Sequence, residues 1–280
     1  MDADRIHLVR IHRRGDHRRG RVDLPRRGGL MAAVDAGRRV VADAIARSVF
    51  PAAAIEVGSS DGPIWSDALG TVTFDAGAAP TTGATIFDLA SLTKPMATTT
   101  IIAELVRTSA LSLDRAVAEF FPDWRGEDRE AVTVRDLLEH ASGLPARLVD
   151  PPPDTRREFE HEIGTIKLEY APRTQSIYSD LGFLLLGFLA ADVGRAPLDV
   201  LLERVIDPRS VRLQPDRDPQ RGPEHRDPGL VYTVPPLLRT LAAPTEPMDV
   251  DPRRGRRLVG EVHDNYAAAL DGVAGHAGVF

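Results

Sequence analysis

Phe87-Asp88-Leu89-Ala90-Ser91-Leu92-Thr93-Lys94-Pro95-Met96 sets a serine and a lysine three residues apart, at the head of what reads as a long helix. On a helix, positions i and i+3 share a face, with Cβ atoms about 5–6 Å apart. The Lys94 amine can then reach the Ser91 hydroxyl, the geometry of a nucleophile beside its base. In a first turn, Ser91 also lies where backbone N–H groups lack intrahelical partners and the helix dipole is positive, an end that favours an oxyanion. A lysine serves as a base only where burial or a neighbouring positive charge disfavours its ammonium form, so Lys94 is expected to point inward. Ser-x-x-Lys is short enough to arise by chance. On spacing alone the plainer reading is favoured, Ser91 as an N-cap and Lys94 as a solvated first-turn residue, and what lifts the catalytic one lies elsewhere in the chain.

Before this stretch, Met31 opens a helical pattern through Val34, Val40, Val41, Ile45 and Val49. Ala52–Val57 and Ile64–Phe74 then read as two strands joined through Gly58-Ser59-Ser60-Asp61-Gly62. That junction matches Gly-x-Ser-x-Gly, a motif that needs a strand before it and a helix after it. Pro63 and an extended run follow instead, so the junction is a hairpin turn and Ser60 is not a nucleophile.

After it, the helix is expected to continue over Thr98–Ala110, with Ile101, Ile102, Leu105 and Val106 apolar. Pro95 is its one irregularity, since it cannot donate to the Ser91 carbonyl. A short helical segment from Leu111 ends near Phe121-Pro122. Val132–Pro145 holds a helix capped by Thr133 and closed by Gly143 and Pro145, with His140 and Ser142 as C-terminal residues tying down the turn. Residues 146–175 read as loop, with Pro151-Pro152-Pro153 as a stiff connector. Apolar helices follow at Leu181–Val193 and Leu198–Val205. Residues 207–257 read as a long irregular excursion, and Glu261–Ala274 as the start of a strand or helix.

Composition narrows the classes. The chain has 280 residues, enough for a sizeable core, and its 42% hydrophobic and 27% charged content is that of a soluble globular protein. The absence of cysteine excludes disulfides, thiol catalysis and cysteine-ligated zinc. The longest apolar run is too short and too interrupted to span a bilayer, and no signal-peptide pattern stands at the N-terminus, so a cytoplasmic protein with no membrane partner is expected. Residues 1–30 hold nine arginines against four aspartates within a chain of net charge −6, so the rest of the chain carries −11 and is no nucleic-acid binder by charge. Those first 30 residues read as a disordered basic extension or as sequence upstream of a start at Met31, with a nucleic-acid arm as the alternative.

Four ordered stretches resemble the serine β-lactamase and penicillin-binding-protein superfamily, in particular its class C β-lactamase and D-alanyl-D-alanine carboxypeptidase/esterase branch. Phe87–Lys94 resembles the first motif. Val132–Pro145 is similar to the branch's "TVRDLLxHxSGLP" segment, Tyr178-Ser179-Asp180 takes the place of its Tyr-x-Asn motif, and Ala274–Phe280 resembles "AGHAGLFS".

The resemblance implies an α/β (α+β) fold of the β-lactamase/transpeptidase-like type. An antiparallel sheet seeded by residues 52–74 and flanked by helices would belong to one domain, 31–280. A mostly helical subdomain, about 98–205, would face it across the active-site cleft. It implies a serine hydrolase acting through an acyl-enzyme on amide, lactam or ester carbonyls of a small-molecule or peptide substrate, with no cofactor and no metal. Ser91 would be the nucleophile, Lys94 its proton acceptor and Tyr178 the second member of the acid/base network. Tyr178 would pass a proton to the leaving group and activate the deacylating water.

Two departures stand out. Asp180 replaces an amide that would donate to the substrate carbonyl; an ionised carboxylate only accepts, and pairs more strongly with Lys94. The third motif, Lys-Thr-Gly or His-x-Gly, is matched literally by His276-Ala277-Gly278. The surrounding sequence instead resembles a mid-chain stretch of the family, so the chain is expected to stop before that motif and His276 is not assigned a catalytic role. These departures motivate the alternative of a catalytically incomplete fragment or a non-turnover acyl-binding module.

Overall fold

The computed structural model describes residues 27–59, 62–148, 151–206, 229–249 and 251–280. Helix α1 spans Arg27–Ala46 and so begins four residues before the expected start at Met31; most of the basic extension lies outside the described residues. It packs on a hairpin of β1 (Ala52–Ser59) and β2 (Gly62–Gly70), paired antiparallel from Ala52↔Gly70 to Ser59↔Gly62 with a bulge at Val57/Gly58. Val34 and Val41 of α1 and Ile55, Val57 and Trp65 of the hairpin line one apolar groove, which is why the strands alternate partly buried and exposed residues. Val40, part of the expected helical pattern, is exposed, because α1 has only this one partner face; Val49 of that pattern lies beyond the end of α1 and is exposed too. The second strand stops at Gly70 and not at Phe74, which is exposed. Ser60 lies outside the described residues, but a strand follows the junction and not a helix.

The chain then enters the Ser91 stretch, which is not the regular helix expected. A 3₁₀ turn, Ala90–Leu92, is followed by a π turn, Lys94–Thr98, and only then by α2 (Thr99–Arg107). Pro95 is the physical reason. Having no N–H, it leaves the local ladder one donor short, and the turn widens until the Thr99 N–H closes on the Lys94 carbonyl. Ala90, the residue before the serine, is left-handed at φ 45°, a conformation uncommon outside glycine.

Helix α2 buries Ile101, Ile102 and Leu105, and the π turn before it buries Ala97, against α5 (Asp180–Gly194) and α6 (Leu198–Ile206). Residues 180–190 of α5 are all buried, as expected of an apolar helix at the centre of a core. Helix α3 (Val134–Leu138) is shorter than expected; Thr133 caps it, accepting from the Asp136 N–H while Asp136 accepts from the Thr133 N–H. Leu111–Pro122 holds only a 3₁₀ turn at Val117–Glu119. The expected loop 146–175 contains a helix, α4 (Arg156–Thr165), whose signals were present in Thr155-x-x-Glu158 and in the buried pair Phe159 and Ile163. Within 207–257, residues 207–228 and 250 lie outside the described residues, and the rest includes a 3₁₀ turn at Pro236–Leu241. Helix α7 (Asn265–Ala269) resolves the strand-or-helix reading of the next stretch.

The last described segment crosses α5 and seals the Ser91 turn. Thr98 Oγ1 donates to the Gly275 carbonyl at 2.7 Å, the Leu89 N–H donates to the Val279 carbonyl at 2.8 Å, and the Val279 N–H donates to Thr93 Oγ1 at 3.1 Å. Two glycines make the crossing: a Cβ on Gly275 would lie 2.0 Å from the Phe183 carbonyl oxygen and 2.9 Å from Gly187 Cα. Among the described residues, no single helix is long and apolar enough to cross a membrane.

Candidate active site

Three pieces of chain meet at Lys94: the 90–98 turn, the Tyr178–Asp180 entrance to α5, and residues 275–278. The π turn carries Lys94 inward, to 3% exposure, while Ser91 stays exposed at the rim and Tyr178 half-exposed. Lys94 Nζ is 3.1 Å from Ser91 Oγ and makes a short hydrogen bond to Tyr178 OH, which lies 2.6 Å from Ser91 Oγ. Nucleophile, amine and phenol thus form a closed triangle. Lys94 Nζ also lies 2.7 Å from Asp180 Oδ1 and donates to the His276 carbonyl at 3.1 Å. An ammonium has three protons and no lone pair for these four neighbours, so one proton is shared between two of them. Within the triangle Tyr178 OH donates to Ser91 Oγ and Lys94 Nζ donates to both, so the three groups are joined by hydrogen bonds. The four residues singled out in the sequence (Ser91, Lys94, Tyr178 and Asp180) are brought together.

Sequence reasoning missed a second layer. Arg147, in the expected loop, donates to Asp180 Oδ2 at 3.0 Å, to Asp264 Oδ2 at 2.9 Å and to Asn265 Oδ1 at 2.7 Å. Asp264 caps α7 by accepting from the Ala267 N–H and pairs with His276 Nε2 at 2.7 Å. Burial alone would raise the Asp264 carboxyl, but His276, the Ala267 N–H and Arg147 outweigh it and hold the group well below the usual carboxylate range. Asp264 before Asn265-Tyr266-Ala267 is a legible N-cap signal; nothing local marks Arg147. Asp180, Asp264 and His276 have ligand atoms within 4.8 Å of one another, the one such grouping among the described residues. Arg147 already bridges both carboxylates and Lys94 faces Asp180, so the cluster is poorly suited to a metal ion.

His140 and Ser142 tie down the turn after α3. His140 is left-handed at φ 55°, and its carbonyl accepts from Tyr170 OH at 2.9 Å and from the Ile177 N–H at 3.0 Å. Ser142 Oγ accepts from the Leu144 N–H. The His140 ring stands 4.9 Å from the Tyr178 ring and 5.1 Å from that of Phe183, and its Nδ1 accepts the Ser179 N–H at 3.0 Å. Burial first, and the Lys94 charge second, hold this imidazole below its ordinary value of 6.5. A neutral ring is the form that can accept from Ser179. His276, which sequence reasoning left without a catalytic role, meets Lys94 through its backbone carbonyl and Asp264 through its ring.

Residues 24–280 match the Beta-lactamase family. The chain is 30% identical over 243 residues to a protein of Escherichia coli (strain K12) named "Putative D-alanyl-D-alanine carboxypeptidase", covering 75% of this chain and 51% of that one. It is 29% identical over 224 residues to the N-acetylmuramyl-L-alanine amidase of Bacillus subtilis (strain 168), covering 70% of this chain and 47% of that one. The chain thus spans about half the length of these curated relatives. In fold it is similar to the crystal structure of D-alanine carboxypeptidase AmpC from Burkholderia cenocepacia, with TM-score 0.61 and 20% identity over 89% of this chain and 61% of that one. With a family match that runs through Ser91, Lys94, Tyr178 and His276, the chain belongs to the Beta-lactamase family, within the serine β-lactamase and penicillin-binding-protein superfamily.

Proposed function

We propose that the chain is a serine hydrolase that acts through an acyl-enzyme, with Ser91 as nucleophile and Lys94 and Tyr178 as its coupled acid/base pair. The observation that carries this reading is the triangle of Ser91 Oγ, Lys94 Nζ and Tyr178 OH, with Ser91 at 3.1 Å from the amine and 2.6 Å from the phenol. As Ser91 Oγ bonds to a substrate carbonyl carbon, its proton passes to the Lys94–Tyr178 pair. Collapse of the tetrahedral intermediate breaks the bond to the leaving group, which takes that proton from Tyr178. A water then repeats the sequence in reverse roles, giving its proton to the pair and releasing the acid from Ser91. Amide-bearing peptides ending in D-alanine are the favoured substrate class, supported by the names of the relatives. Lactams and simple esters present the same carbonyl to the same triangle.

The ion pair between Lys94 and Asp180, 2.7 Å, favours a second reading in which acylation outpaces release and the protein labels without turnover. Intact-mass spectrometry after exposure to a fluorophosphonate and, separately, to a penicillin tests both. A single adduct absent from Ser91→Ala is expected, with Tyr178→Phe labelled about 10²–10⁴-fold more slowly. An adduct that persists in Ser91→Ala, or none at all on folded protein, overturns the assignment. Turnover of D-Ala-D-Ala peptides or esters separates the first reading from the second.

A further inference from the structure

We propose that Arg147 is a positioning residue: it supplies the counter-charge that lets a carboxylate stand beside the Lys94 amine without capturing it. The inference rests on the reading of Lys94 as the base for Ser91. Asp180 is 7% exposed, so little water screens its charge. Its two oxygens are divided: Oδ1 faces Lys94 at 2.7 Å and Oδ2 accepts from Arg147 at 3.0 Å. With Arg147 gone, the whole carboxylate charge would bear on Lys94 alone and draw it away from the serine. Removing one member of such a buried set leaves the others uncompensated.

Arg147 is held for this task. Its Nη1 spans Asp180 and Asp264, its Nη2 meets Asn265, and the Tyr266 ring lies 4.0 Å from the guanidinium carbon. Asp264 is fixed by His276 Nε2 and the Ala267 N–H, and the His276 carbonyl returns to Lys94 Nζ. The contacts close a circuit of Lys94, Asp180, Arg147, Asp264 and His276. Two cations and two carboxylates balance in it when the imidazole is neutral. A planar fork is needed to reach three acceptors at once, and arginine alone supplies one.

The test compares Arg147→Met, Asp180→Asn and the double variant with the unaltered chain, by denaturant unfolding and by the rate of fluorophosphonate labelling. Arg147→Met is expected to lower the unfolding midpoint and to slow labelling by about tenfold or more, as for loss of one partner of a buried charge pair. In the double variant the labelling loss and the Asp180 share of the stability loss should be recovered relative to Arg147→Met, because the Asp180 charge is gone while Asp264 keeps His276 and the Ala267 N–H. Arg147→Lys, which keeps charge but not the fork, should fold and fall between the two. Equal losses from Arg147→Met with and without Asp180→Asn, or no loss in either background, would overturn the proposal. Should Arg147→Met fail to fold, recovery of folding in the double variant supports it and continued failure to fold overturns it. If the unaltered chain is not labelled at all, the serine-hydrolase reading fails, and the unfolding comparison decides the charge pairing by itself.

Discussion

The serine and lysine of the first motif were legible because a three-residue spacing is a local property, and Tyr178 and Asp180 because they sit together at the start of an apolar helix. Arg147 was not, since its role exists only through contacts 33 and 117 positions away in sequence, with Asp180 and Asp264. His140 falls between: its place in a turn could be read, but not its seat against Tyr178. That seat makes a pH prediction. The folded imidazole titrates below its ordinary 6.5, so the unfolded chain binds a proton more readily than the folded one. The contribution is fully present above pH 6.5 and is lost as pH falls through the folded value. The depressed Asp264 carboxyl acts in a separate window, below about pH 4. Thermal unfolding between pH 7.5 and 5 should therefore show a fall in midpoint that His140→Asn lacks. Asparagine tolerates the left-handed backbone and does not titrate. An unchanged slope in that variant would remove His140 from the account.

At the scale of elements, local rules predicted more than they placed. Periodicity found α2, α5 and α6, and the Thr133 cap found α3. Pro95 was recognised as an irregularity, yet whether a helix breaks, kinks or widens there depends on what packs around it. Here it is the 275–280 segment, bonded to Thr93, Thr98 and Leu89, that holds the widened turn. The two glycines at the crossing then matter more than their size suggests. Gly275→Ala would force a methyl to 2.0 Å from the Phe183 carbonyl oxygen, and backbone must move to admit it. A loss of about 1–3 kcal/mol in unfolding free energy is expected, as for overpacking in a filled core. Because His276 follows directly, Ser91 labelling should slow as well. Urea unfolding and the labelling rate check the two effects separately, and a variant with unaltered stability would show the crossing to be slack.

Taken whole, the described molecule has a helical core centred on α5 and an outer layer of α1 with the β1–β2 hairpin, and each holds one of its two tryptophans. Trp124 is fully buried in the core, donating Nε1–H to the Arg129 carbonyl at 2.9 Å, while Trp65 is partly buried in the groove under α1. A two-stranded sheet is marginal without further support. The ion pair of Asp75 with Arg257 ties this region to the rest through exposed side chains, where water and salt screen it. Fluorescence of Trp124→Phe, reporting Trp65, should change at lower denaturant than that of Trp65→Phe, reporting Trp124. Coincident transitions would mean that the layers unfold as one. Of the antiparallel sheet that the resemblance implies, the described residues show this hairpin, which alternation of apolar and polar residues made legible. The burial of Lys94 has a practical consequence as well. Of 35 basic side chains only Lys94 and Lys167 are lysines, and Lys167 lies in the open while Lys94 is walled in. Among its lysines, amine-reactive dyes or surface linkers therefore find only Lys167 open on the native molecule, a defined point of side-chain attachment.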